Sequence, residues 1–96
     1  MTASEIIAFI KSNKTFIEQS FAVKSIGLFG SYARGDANET SDIDVLVDLE
    51  EPKYKYLFGI KSFLEKNLNR KVDVTRRGNH LRESFLNTIE KEIIYA

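Results

Sequence analysis

The eight residues from Asp42 to Leu49, DIDVLVDL, alternate without a break. Successive side chains of a strand point to opposite faces, so Ile43, Val45, Val47 and Leu49 must face one way and Asp42, Asp44, Leu46 and Asp48 the other. This pattern predicts a strand with one core face and one acidic face.

The periodicities on either side switch between helix and strand. Ala3, Ile6, Ile7, Ile10 and Ile17 fall at helical spacing, which predicts one amphipathic helix over residues 3–20 with Thr2 capping its first turn. Val23 to Phe29 reads as a strand with Ile26 and Leu28 on one face and Ser25 and Gly27 opening the other, and it stops at Gly30-Ser31. Pro52 closes the acidic strand, and Leu57, Ile60, Leu64 and Leu68 then space out a second long helix. RKVDVT is the next strand. A final helix holds Leu81, Phe85 and Ile89 at i, i+4 steps, and EIIYA is a last short strand or an ordered tail. The order α-β-β-α-β-α-β predicts an α/β (α+β) fold, a mixed β-sheet flanked by helices.

Ninety-six residues are expected to make one domain, 1–96, with little core to spare. Fourteen basic and fourteen acidic residues cancel, so nothing draws the whole molecule to nucleic acid, and a polyanion must be met by a local patch or by metal ions. The absence of cysteine removes disulfides and thiolate metal sites. No apolar run approaches the roughly 18 residues that span a bilayer, and Glu5, Lys11 and Lys14 break up the N-terminal segment. The expectation is a soluble cytoplasmic protein with no membrane partner and no direct nucleic-acid partner.

The acidic face carries the chemistry. Asp42 and Asp44, two residues apart, lie about 6.6 Å apart along one strand face, close enough for both carboxylates to converge on a pair of metal ions. Asp48 is roughly 13 Å further along and is left out. Hard oxygen ligands select Mg²⁺, with Mn²⁺ as the alternative, and such ions keep positions open for phosphate oxygens. The Gly-Ser turn beside them supplies the other half of a nucleoside triphosphate site. Gly30 allows close backbone approach, Ser31 offers a hydroxyl and an amide at the start of a short helix, and Arg34 can add a cationic fork one helical turn on. A Gly-Ser pair alone marks turns everywhere and D-x-D alone is usually a solvated face, but joined in one β-turn-β unit they are far more specific.

Other candidates read more blandly. Ser41 shapes the start of the aspartate strand, having no base beside it, and His80 reads as a surface residue. Asp36 and Glu39 belong to a polar loop. Arg70, Lys71, Arg76 and Arg77 bracket the Asp73 strand as contacts for phosphate or an acidic partner, with Arg76 and Arg77 reading equally well as solvated loop charges, and Tyr54 and Tyr56 open the second helix as surface contacts for a partner.

The run GSYARGDANETSDIDVLV resembles the signature of the minimal nucleotidyltransferases within the DNA polymerase β-like superfamily: G-S-x-A-R-G, a short loop, then S-D-x-D and an apolar strand. The resemblance extends through most of the chain. It implies a polymerase β-like nucleotidyltransferase fold and a third carboxylate on the strand after the next helix, where KVDVT puts Asp73 between the inward-facing Val72 and Val74. It also implies transfer of a nucleoside monophosphate, AMP from ATP, to an acceptor hydroxyl with release of pyrophosphate. Asp42, Asp44 and Asp73 would hold two Mg²⁺ ions, and Gly30, Ser31 and Arg34 would grip the phosphates. The acceptor must come from another molecule, since so short a chain has no room for an acceptor domain. The resemblance points to the antitoxin half of a toxin–antitoxin pair, its acceptor a tyrosine of a HEPN-type ribonuclease toxin. A homo- or hetero-oligomer would add apolar contact to so small a core. Two other readings share the motif: a non-catalytic module that sequesters its partner, and a small-molecule nucleotidyltransferase of the aminoglycoside-modifying kind, whose relatives carry a further domain for the sugar.

Overall fold

The computed structural model describes residues 1–96. Thr2 caps α1 (Ala3–Ser12) with a full capping box, its hydroxyl accepting from Glu5 N–H while the Glu5 carboxylate accepts from Thr2 N–H. The expected single helix to residue 20 is two. Asn13 leaves helical geometry at φ −113° and ψ 14°, and its side-chain amide donates to Phe9 O at 2.9 Å. An asparagine that bonds its own backbone offers the chain an alternative to the helix ladder, and α2 (Lys14–Phe21) starts afresh from it. The turn keeps Ile17 in the core with Ile6, Ile7 and Ile10. It also brings Phe16 and Phe21 to within 5.0 and 6.2 Å of the Phe63 ring.

β1 (Val23–Phe29) follows, then α3 (Gly30–Arg34) and β2 (Ile43–Leu49), and β1 and β2 pair antiparallel with a bulge between Val23 and Ser25. α4 (Tyr54–Leu68) carries the chain over the sheet to β3 (Val72–Arg76), which runs parallel to β2 as a helical crossover requires. α5 (Glu83–Glu90) leads to β4 (Ile94–Tyr95), which pairs antiparallel with β1, so the sheet order is β3-β2-β1-β4. The last helix begins later than expected: Leu81 lies before it, Phe85 stays exposed, and only Ile89 is buried.

One face of the sheet carries Ile26, Leu28, Ile43, Val45, Val47 and Val72, and buries them against α1, α2 and α4. The opposite face is not wholly acidic, as the alternation suggested. Leu46 is buried there, and so is Ile89 from α5. Glycine at position 27 makes room on the same face, since a Cβ would press into the Ile93 side chain at 2.7 Å. The C-terminal segment thus covers the middle of this face and leaves free the end where β1 stops and β2 starts. No helix is long and apolar enough to cross a membrane.

Candidate active site

Three elements meet at that uncovered end. β1 stops at Phe29, which lies opposite Asp44 of β2, and Asp44 in turn lies in register with Asp73 of β3. Paired residues on neighbouring strands share a face, so the two carboxylates stand side by side one interstrand spacing apart, about 4.8 Å. Asp42 sits one residue before β2, at the mouth of the same face. The three aspartates face one another without closing into a cluster at metal-ligand distances.

The turn is pressed against them. Gly30 has φ +76°, a backbone that L side chains rarely adopt, and a Cβ placed on it would overlap the Asp44 carboxylate. Glycine is therefore required twice over, by conformation and by space. Ser31 follows in the first turn of α3, half-buried. These residues, with Asp44, Phe85 and Thr88, line a cavity of about 410 Å³.

Crowding sets the electrostatics of the site. Burial pushes the Asp44 carboxyl up, and the neighbouring charges of Asp73 and Asp42 push it further, with Arg34 pulling the other way. Crowded carboxylates repel, and an all-oxygen set of this kind suits a hard divalent cation.

Arg34 is committed elsewhere. Its Nε donates to Asp36 at 3.3 Å and its Nη1 to Glu92 at 3.2 Å, and these two partners, Asp36 first, hold its guanidinium above the ordinary value. The expected phosphate fork is thus already tied to two carboxylates, though it still borders the cavity. Glu92 is the residue that sequence reasoning missed. It also accepts from Gly30 N–H, joining the C-terminal segment to the turn across 62 positions. No local pattern in EKEIIYA marks it, because its partner is set by β4 pairing with β1. Ser41 shapes the loop before β2, its hydroxyl accepting from Asn38 N–H at 2.9 Å. His80 is exposed, near Arg76. Arg77 bonds Glu90 and Tyr95 rather than the carboxylate face.

A mixed sheet that brings a Gly-Ser turn against paired aspartates defines a domain that handles nucleotide phosphates. Comparison with known proteins gives the family. Residues 9–96 match the family described as nucleotidyltransferase domain. Protein adenylyltransferase MntA of Thermococcus cleftensis is 35% identical over 97 residues, covering 100% of this chain and 97% of that one. A Methanocaldococcus jannaschii relative assigned as a protein adenylyltransferase is 43% identical over 79 residues, 81% of this chain and 92% of its own length. A solved minimal nucleotidyltransferase superposes with a TM-score of 0.81 at 27% identity, over 98% of this chain and 95% of that one. A toxin–antitoxin structure with AMP-PNP shares the fold at a TM-score of 0.70 and 18% identity, over 88% of this chain and 70% of that one. The tri-AMPylated HEPN toxin complex with MNT antitoxin from Shewanella oneidensis does so at 0.63 and 15%, over 92% and 69%. The chain belongs to the nucleotidyltransferase domain family, as a minimal nucleotidyltransferase of the polymerase β-like fold.

Proposed function

We propose that this chain is a protein adenylyltransferase that moves AMP from ATP to a tyrosine hydroxyl of a HEPN-type toxin, and so acts as the antitoxin of a pair. The single observation that carries the reading is the register of Asp44 with Asp73, with the Gly30 turn against Asp44. Full-length similarity to a protein adenylyltransferase supports the reaction, and the HEPN complex among its structural neighbours supports the acceptor.

In this reading Asp42, Asp44 and Asp73 hold divalent ions, Mg²⁺ first. When bound, these would neutralise the triphosphate and polarise the attacked α-phosphate. The protein's own work is positioning. The Ser31 amide and hydroxyl receive the outer phosphates, and Gly30, lacking a side chain, lets them lie close to Asp44. Arg34 borders the phosphates from its anchorage on Asp36 and Glu92. Asp73 stands at the edge of the site, where the acceptor hydroxyl arrives, and accepts its proton. The phenolic oxygen bonds to the α-phosphorus as the bond to the bridging oxygen breaks, and pyrophosphate leaves. The domain spans residues 1–96 and works in the cytoplasm, where its donor is made.

The competing reading is a binding module that neutralises its partner without chemistry. Incubating the chain with α-labelled ATP, Mg²⁺ and a HEPN-type toxin separates the two. Adenylyl transfer labels the partner, and Asp42→Asn and Asp44→Asn abolish both label and neutralisation. Neutralisation that survives these substitutions, with no label, establishes the binding module.

A further inference from the structure

The sheet ends on one side at β3, and the backbone groups left over on that edge are few and well placed. β3 bonds β2 through its odd-numbered residues and those beside it: Lys71 O accepts from Ile43 N–H at 2.9 Å, and Arg77 N–H donates to Val47 O at 2.7 Å. Alternate residues of a strand present their N–H and C=O to opposite edges, so Val72, Val74 and Arg76 present theirs outward. Val72 is provided for. Its N–H donates to Glu65 Oε2 at 2.9 Å, and its C=O accepts from Lys61 Nζ at 3.0 Å. Val74 has no such guard from α4. Unpaired strand groups are a template for another chain, and charged side chains are a common way of blunting them. Here the hydrogen-bonded cover from α4 stops at Val72, and the Arg76 side chain at the far end of the strand turns to His80 and Arg77 O.

Beside Val74 lies a groove of about 180 Å³ with Leu57 and Val74 among its lining. Tyr54 and Phe58 also line it, their rings 6.0 Å apart and the residues 78% and 64% exposed. Asp73 belongs to the same groove, so the groove reaches round the β3 edge to the strand that carries this carboxylate.

We propose that this edge is where the acceptor protein docks. An extended segment of the partner adds to the sheet beside β3, bonded to the N–H and C=O of Val74, with an apolar side chain between Tyr54 and Phe58 and the acceptor tyrosine at the next position. The inference rests on the adenylyltransferase reading and adds to it the surface that recognises the acceptor. Residues paired across strands share a face, as Asp44 and Asp73 do. The partner residue opposite Asp73 therefore points onto the carboxylate face, while the one opposite Val74 points towards the groove. The phosphate cavity lies on the far side of Asp44, towards β1, so the order β3-β2-β1 sets acceptor, α-phosphate and outer phosphates in one line. Reach selects the side chain. One interstrand spacing is about 4.8 Å. The partner residue stands one such spacing from Asp73 and two from Asp44, so a tyrosine hydroxyl extends over Asp73 into the gap between the two aspartates, whereas a serine hydroxyl, one bond beyond its Cβ, stops short.

The test is steady-state AMP transfer with the HEPN-type partner as the varied substrate, beside ATP affinity measured by a fluorescent analogue. Phe58→Asp and Tyr54→Ala are exposed substitutions that leave the core untouched. Each should raise the KM for the partner about tenfold or more, with kcat and ATP affinity within about twofold, as expected when binding uniform to ground and transition state is lost. Amide hydrogen exchange across residues 72–76 should slow when the wild-type chain binds its partner, and should not slow for Phe58→Asp. Wild-type transfer with an unchanged partner KM in both variants overturns the docking site alone. No transfer by the wild-type chain overturns the adenylyltransferase reading and the docking site with it.

Discussion

Replacing Gly30 by alanine tests the tightest contact in the site, and Gly35 supplies a matched control. Both glycines sit at positive φ, +76° and +82°, so alanine at either carries the left-handed penalty of about 1–2 kcal/mol. They differ in their surroundings. A Cβ on Gly35 meets nothing within 4 Å, whereas one on Gly30 overlaps the Asp44 carboxylate. Asp44 is held in β2 between two paired strands, so its side chain must leave its rotamer, at a further cost of about 1 kcal/mol. Gly30→Ala should then be about 2–3 kcal/mol less stable than wild type in urea, and Gly35→Ala about 1–2. The difference in activity should be much larger. A carboxylate displaced by about 1 Å costs on the order of 100-fold in transfer rate, and Gly35→Ala leaves Asp44 where it is. Initial rates of AMP transfer at matched fractions folded give the comparison. If Gly30→Ala transfers AMP within about threefold of Gly35→Ala, the approach of the turn to Asp44 is not what arranges the site.

Further outcomes follow from single contacts. Asp44→Asn should abolish transfer and yet raise the unfolding midpoint in metal-free buffer, because it removes the charge that burial, Asp73 and Asp42 disfavour; a lowered midpoint would show that the crowding is not destabilising. The Val72 N–H, and then Lys61, hold the Glu65 carboxyl below its ordinary 4.5, so the stability it adds is fully present above that value and is lost as pH falls through the lower folded value. The gap between wild type and Glu65→Gln in urea midpoint should accordingly shrink from neutral pH to strong acid, and a constant gap would refute the assignment. Thr2→Ala removes half of the capping box and should cost about 1 kcal/mol in the same assay with no change in transfer. Gly59→Ala drives a methyl to 2.5 Å from the Phe21 ring, which packs with Phe16 and Phe63, and overpacking there should cost about 1–3 kcal/mol.

What could be read from the sequence was what local chemistry decides. Thr2 caps because Glu5 lies three residues on, and β2 forms because its alternation is strict. The pairing of the Gly30 turn with Asp42 and Asp44 followed from a motif whose spacing is short, whereas Asp73 was implied only by the family resemblance and its register with Asp44 is set by the sheet. What escaped was set by partners distant in the chain. The break at Asn13 depends on one side chain bonding backward to Phe9 O, against a helical periodicity that runs on through Ile17. Leu46 was placed on an acidic face, and its burial there comes with that of Ile89 and the seating of Ile93 against Gly27, set by the C-terminal segment. Glu92 is one acid in EKE until β4 joins the sheet and delivers it to Gly30 and Arg34. The free edge at Val74 was likewise invisible, because it is known only once Lys61 and Glu65 are seen to guard Val72.

On the proposed function, this chain transfers the nucleoside monophosphate of ATP rather than its terminal phosphate. Parallel incubations of the chain and its HEPN-type partner with ATP labelled at the α- or the γ-phosphate test it most directly. Label should reach the partner from α-labelled ATP alone, with γ-label recovered in pyrophosphate, and the protein label should be lost in Asp73→Asn as in Asp44→Asn. Label on the partner from γ-labelled ATP, or transfer that survives both substitutions, would contradict it.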